Sequence, residues 1–130
     1  MEVSGQIEIL KRNFNNYSET LVSFLSKIAP RSSIIMYKPY IEKLCKANSN
    51  KIIDTFVING LIHEEKIMRE DEEYFMGMSV SEKDDSDKLR KIFQFKNVWK
   101  TLSSEDKHTI KSYMKLLCVI ARKYFDLLYN

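Results

Sequence analysis

Glycine and proline are scarce in this chain, with three glycines and two prolines among 130 residues. A β-sandwich or barrel needs many tight turns, so the scarcity argues against both and favours a few long helices with short connections. It also leaves little material for a glycine-rich loop that cradles phosphates, and neither a dinucleotide fingerprint nor a Gly-x-Ser-x-Gly elbow occurs. Histidine and cysteine number two each, so a structural zinc would need all four to converge from distant elements. Cys45 and Cys118 stand 73 positions apart among apolar neighbours. They read as small core residues in a reducing compartment, with a disulfide or a reactive thiol as the alternative. No apolar run approaches the roughly 18–20 residues of a membrane span. Residues 1–5 lead straight into an amphipathic pattern, without the basic and apolar regions of a secretory signal. These absences imply an intracellular protein with no catalytic residues, no metal or cofactor, and no evident small-molecule substrate.

What is present is helical periodicity. Hydrophobic residues make up 44% of the chain and charged residues 30%, enough apolar material for one core over residues 1–130. Val3, Ile7, Leu10, Phe14, Tyr17, Leu21, Phe24 and Ile28 recur at alternating spacings of 4 and 3. That pattern predicts a long first helix, with Ile9, Val22 and Leu25 widening its apolar face and Pro30 ending it. The stripe packs inside the bundle or forms a coiled-coil contact with another chain.

A second helix is expected from Ser32 or Ser33, with Ile34, Ile35, Tyr37, Ile41, Leu44 and Cys45 on its apolar side. Pro39 interrupts this pattern, which implies a kinked start or a true beginning near Lys38. Ser49 or Asn50 can cap a third segment running from Lys51 to about Met78, weakened at Asn59-Gly60 and ended by Gly77. Residues 79–87 (SVSEKDDSD) form a polar, acidic loop or linker. Leu89, Ile92, Phe93, Phe95, Val98, Trp99 and Leu102 suggest a short apolar helix. Ser103 with Asp106 then caps a last helix with Ile110, Tyr113, Met114, Leu117, Ile120, Ala121, Tyr124 and Leu128 on one side and Lys107, Lys111 and Lys115 on the opposite side. The fold class is all-α, a compact single-domain bundle of about five or six helices.

Charge is distributed unevenly. Residues 1–87 carry 11 basic and 15 acidic side chains, whereas residues 88–130 carry 10 basic and three acidic. Such a chain folds its acidic part onto its basic part, or presents the basic end to an acidic partner. Glu70, Asp71, Glu72 and Glu73 form the densest acidic run. It is a solvated helix face or a patch for a basic partner, and its spacing does not match a calcium loop. His63-Glu64-Glu65-Lys66-Ile67 begins like a zinc-protease motif and fails where the second histidine should stand. Lys107, Lys111 and Lys115 are candidate nucleic-acid contacts. Against that reading, lysine outnumbers arginine 16 to five, and base-reading proteins lean on arginine's forked geometry.

Phe56-x-x-x-x-Leu61, followed by Ile67-Met68-Arg69-Glu70-Asp71-Glu72-Glu73-Tyr74-Phe75, resembles a motif in small uncharacterised proteins of the large nucleocytoplasmic DNA viruses. So does Ile92-Phe93-Gln94-Phe95 with Val98-Trp99-Lys100-Thr101-Leu102-Ser103, continuing through Lys107, Ile110, Tyr113, Leu116 and Leu117. Those proteins often carry tryptophan where this chain has Ile110 or Ser112. The resemblance covers nearly the whole chain and implies a setting in the host cytoplasm or the virion. It brings no catalytic residue with it. The expected function is a non-enzymatic protein–protein interaction module, a virion-associated or assembly component, with a protein partner or self-association. Its contact candidates are the first-helix stripe and the segment with Phe93, Phe95 and Trp99, because large aromatics commonly anchor interfaces, with the acidic run and the loop at residues 79–87 as secondary candidates. The alternative is a nucleic-acid-associated factor using the lysine-rich C-terminal helices.

Overall fold

The computed structural model describes residues 2–29, 34–76 and 98–129. Its elements in chain order are α1 (Val3–Ile28), α2 (Ile34–Lys46), α3 (Lys51–Asn59), a 3-10 turn (Leu61–His63), α4 (Glu64–Met68), α5 (Glu72–Phe75), a second 3-10 turn (Trp99–Thr101) and α6 (Ser104–Tyr129). The fold is all-α, with no strand among the described residues. The two 26-residue helices, α1 and α6, pack extensively on each other. The first turns of α1 lie beside the last turns of α6, so the pair runs antiparallel. At 1.5 Å per residue each is roughly 39 Å long, and the remaining elements are short pieces laid against this pair. α2 docks on α1, while α3 and α4 dock on α6.

The face that α1 buries is not quite the stripe read from its sequence. Phe14, Leu21, Val22 and Leu25 are buried together with two polar residues, Asn15 and Ser18, while Tyr17 is 39% exposed and Phe24 only partly buried. A repeat of 3.5 residues drifts around a straight helix of 3.6 residues per turn. By the middle of α1 that drift has moved Tyr17 and Phe24 to the flank, with Ser18 and Leu25 taking the central positions. Val3 and Ile9, assigned to the apolar face from sequence, are exposed.

Asn15 has a structural task. Its Nδ2 donates to Asn48 Oδ1 at 3.2 Å and to the Ser49 carbonyl at 3.0 Å, and its own carbonyl accepts from the Cys45 thiol at 3.2 Å. These bonds hold the turn between α2 and α3 against α1. Asn48 stands there in the left-handed region (φ 49°), with Ser49 N–H bonded to the Leu44 carbonyl and Asn48 N–H to the Cys45 carbonyl. That is the double bond of a helix stop, at a position asparagine tolerates. Asn15 Oδ1 and Ser18 Oγ are buried and find no hydrogen-bond partner among the described residues.

Several boundaries differ from expectation. α2 is helical from Ile34 and carries Pro39 as its sixth residue, so the helix neither waits for Lys38 nor has proline in its first turn. The missing N–H leaves only the Ile35 carbonyl without its usual donor, and Ile41 and Leu44, buried beyond it, secure the helix by packing. Asn59-Gly60 does end α3. A Cβ on Gly60 would stand 2.8 Å from the Phe56 carbonyl oxygen, so the chain turns where only glycine fits closely. Ser49 Oγ accepts from the Lys51 N–H at 3.1 Å, and Ser103 Oγ from the Asp106 N–H at 3.1 Å, two caps read correctly from sequence. The expected caps at Ser32, Ser33 and Gly77, and the loop at residues 79–87, lie outside the described residues.

Buried side chains from every described α-helix form one core. Phe14 meets Phe56 edge-on at 5.4 Å, and Ile41, Ile52, Ile67, Ile110, Met114 and Leu117 fill the space around them. On α6, Cys118 joins the predicted stripe and Leu128 leaves it, being 43% exposed.

Candidate interaction surface

The segment from α4 through α5 crosses α6 as an acidic strap. Its carboxylates reach three turns of that helix. Glu72 Oε1 accepts from Lys111 Nζ at 2.6 Å, Glu70 Oε2 from Lys115 Nζ at 3.2 Å, and Glu64 Oε1 from Arg122 Nη2 at 2.7 Å. The second oxygen of Glu72 accepts from the Trp99 indole N–H at 2.7 Å. Trp99 stacks on Phe75 at 4.9 Å between ring centres, and the ammonium groups of Lys107 and Lys111 lie 5.6 and 5.8 Å from its ring centre. Glu72 is therefore held below its usual carboxylate range, first by the Lys111 hydrogen bond and then by that from Trp99. Asp71 caps α5, its Oδ1 accepting from the Glu73 N–H at 2.9 Å.

The strap turns at Glu70, which adopts a left-handed conformation (φ 58°). Glu70 N–H bonds to the Ile67 carbonyl and Asp71 N–H to the Lys66 carbonyl, repeating the stop that ends α2. Glycine or asparagine usually occupies this position, because a left-handed residue with a full side chain costs roughly 1–2 kcal/mol. In return the turn aims Glu70 at Lys115.

This arrangement relocates the residues singled out in the sequence. Lys107, Lys111 and Lys115 do not lie opposite the core. They occupy the flank of α6 beneath the strap, where Lys111 is 16% exposed, and the side facing solvent carries His108, Ser112, Leu116, Val119 and Lys123 instead. A turn of 100° per residue places positions 107, 111 and 115 beside the buried 110, 114 and 118 rather than across from them. Trp99, at 1% exposure, is a core residue rather than a surface anchor, while Phe93 and Phe95 lie outside the described residues. Of the acidic run, Glu70 and Glu72 pair with lysines of α6, Asp71 caps a helix and approaches Arg69 at 3.8 Å, and Glu73 is exposed.

At the other end of α6 the surface is open. A groove of about 570 Å³ runs between the first turns of α1 and the last turns of α6. Val3, Ile9 and Leu10 from α1 and Leu127 from α6 form its walls, with Gln6, Lys123 and Asp126 at its rim. Ile9 is 42% exposed, and Leu128 and Tyr129 are exposed close by in sequence. Lys123 makes no ion pair among the described residues, and Asp126 has only a long contact with Arg122 Nη1 at 3.9 Å. The sequence reading placed Val3, Ile9 and Leu10 on one apolar face, buried in the bundle or in contact with another chain, but did not locate the groove between α1 and α6. The available signal was Ile9, which falls outside the heptad positions.

The nucleophilic and titratable groups have settled environments. Burial, reinforced by Glu19, pushes the Cys45 thiol up to about 12, and burial with Glu64 pushes Cys118 up to about 12. Both therefore stay protonated at neutral pH, in the form that neither attacks nor binds metal. His63 packs against Tyr74 at 5.3 Å and is shifted below its usual range by burial and then by Lys66, which keeps it neutral. Among the described residues no three His, Cys, Asp or Glu side chains converge as a metal site, and no helix is long and apolar enough to cross a membrane.

Fold and surface together define a small all-α bundle, closed by charge over one half of its last helix and open as an apolar groove at the other. The chain is similar to an uncharacterised protein of Acanthamoeba polyphaga mimivirus, with 28% identity over 130 residues, covering 92% of this chain and 72% of that protein. The similarity accords with the resemblance to proteins of large DNA viruses seen in the sequence motifs. No family model and no solved structure matches the chain.

Proposed function

We propose that this protein is a non-enzymatic interaction module that docks a protein partner through the groove between α1 and α6. The apolar groove carries the reading, because Val3 and Ile9 in its walls are exposed among the described residues. Burial holds both thiols protonated and so without the activation that nucleophilic or metal chemistry requires of them. The similarity to a mimivirus protein supports a viral setting, in which such a module would serve as a virion-associated or assembly component in the host cytoplasm or the particle.

The test is affinity capture with wild type and Ile9→Asp side by side, after circular dichroism has shown that both are folded. Loss of specific partners from the variant supports the reading. Identical partner sets for the two proteins overturn it.

The alternative, a nucleic-acid-associated factor, requires Lys111 and Lys115 to exchange their carboxylate partners for phosphates. It predicts DNA or RNA affinity that falls steeply with salt and drops in the triple charge reversal of Lys107, Lys111 and Lys115 to glutamate. Absence of binding at low salt removes it.

A further inference from the structure

We propose that the occupant of the groove is a second copy of this chain, related by a two-fold axis beside the last turns of α6. The inference rests on the interaction-module reading and names the partner. The surface around the groove is complementary in charge to a second copy of itself. An isologous interface brings one patch against an identical patch, so each charge in it must find its opposite within the same patch. The groove meets that condition on one turn of α6. Lys123 and Asp126 stand three residues apart at its rim, the lysine without an ion pair among the described residues and the aspartate with only the 3.9 Å contact to Arg122. When two such turns pack antiparallel about an axis between these positions, Lys123 of one copy faces Asp126 of the other, and the reverse pair forms by symmetry.

The apolar content fits the same geometry. Ile9 is 42% exposed and lines the groove with Val3 and Leu127, so two copies would cover each other's walls. Along its strap-covered flank α6 offers no such unpaired charges, because Glu70, Glu72 and Glu64 already engage Lys115, Lys111 and Arg122. The association therefore forms at one end of the long helix pair.

Sedimentation equilibrium or light scattering across a concentration series tests the proposal on the full chain. Wild type is expected to show a monomer–dimer equilibrium. Lys123→Asp and Asp126→Lys each place like charges across the axis and should weaken the dimer about fivefold to tenfold. The double variant Lys123→Asp/Asp126→Lys restores the opposite pairing and should return the affinity to within about threefold of wild type. Ile9→Asp buries a charge in the apolar wall and should weaken the dimer by about 100-fold or more. All these positions are at the surface, and circular dichroism confirms folding of each variant. A wild type that remains monomeric throughout the series overturns the proposal, as does a dimer indifferent to Ile9→Asp or a double variant that fails to recover. A monomer whose captured partners are still lost on Ile9→Asp overturns self-association alone and leaves the interaction-module reading in place.

Discussion

The two halves of α6 use similar residues in opposite ways. In the first half, Lys111 and Lys115 meet carboxylates of the strap, and Trp99 lies beneath Lys107 and Lys111 with its indole N–H bonded to Glu72. In the second, Lys123 stands beside an apolar groove and makes no ion pair among the described residues. Both halves are amphipathic helix of similar composition. The difference arises because a second layer, residues 64–75, packs along α6 from Lys111 to Arg122, and among the described residues nothing comparable lies over the groove beyond it.

Truncation of Trp99 should break the closed half most severely. Trp99→Ala removes a fully buried indole together with the Phe75 stack and the Glu72 hydrogen bond, and should cost about 3–5 kcal/mol in chemical denaturation. A cost below 1 kcal/mol would mean that the strap does not rest on this ring.

Left-handed strain at Glu70 gives a smaller effect of opposite sign. Glu70→Gly removes the side chain that disfavours φ 58° at the loss of a part-exposed ion pair to Lys115. It should raise stability by up to about 1 kcal/mol. A fall in melting temperature would show that the Lys115 pair outweighs the backbone strain.

Acid should loosen the same half. The Glu72 carboxyl titrates lower in the folded protein than in the unfolded chain, where it is near 4.5. Its contribution is therefore complete above pH 4.5 and is lost as pH falls through the depressed folded value. Because Glu72 is half-exposed, solvent screens the pair and the effect is small. Emission from the single tryptophan reports it directly. Its acid transition should lie below pH 4.5 in wild type and disappear in Glu72→Gln.

The open half should respond least in stability. Ile9→Asp should change unfolding free energy by less than about 0.5 kcal/mol, as an exposed substitution does, while abolishing association through the groove. A large loss of stability would place Ile9 in the core and erase the contrast between the two halves.

Local features were legible in the sequence. The stripes of α1 and α6 announced long helices, Ser49 and Ser103 were readable as caps, and Gly60 as a break. Each depends on residues within one or two turns of one another. Side-chain destinations were less legible. Tyr17 matched the heptad and lies at the flank, while Ser18 and Asn15 are buried though polar. The three lysines were assigned to solvent because helical spacing alone does not say which flank a neighbouring segment will cover. The strap bonds join residues 27 to 58 positions apart, beyond the reach of any local pattern.

By itself, then, the sequence determined an all-α chain, because apolar spacing of three and four residues and a shortage of turn-forming residues leave no other regular structure. It also set the acidic and basic imbalance between its two parts. Tertiary structure decided how that imbalance is used: Glu64, Glu70 and Glu72 close over one flank of α6 from Lys111 to Arg122, and Lys123 makes no ion pair among the described residues. The physical reason is that hydrophobic periodicity specifies a buried face to within about one residue in each turn. Which charged flank is covered, by contrast, depends on where a distant segment comes to rest.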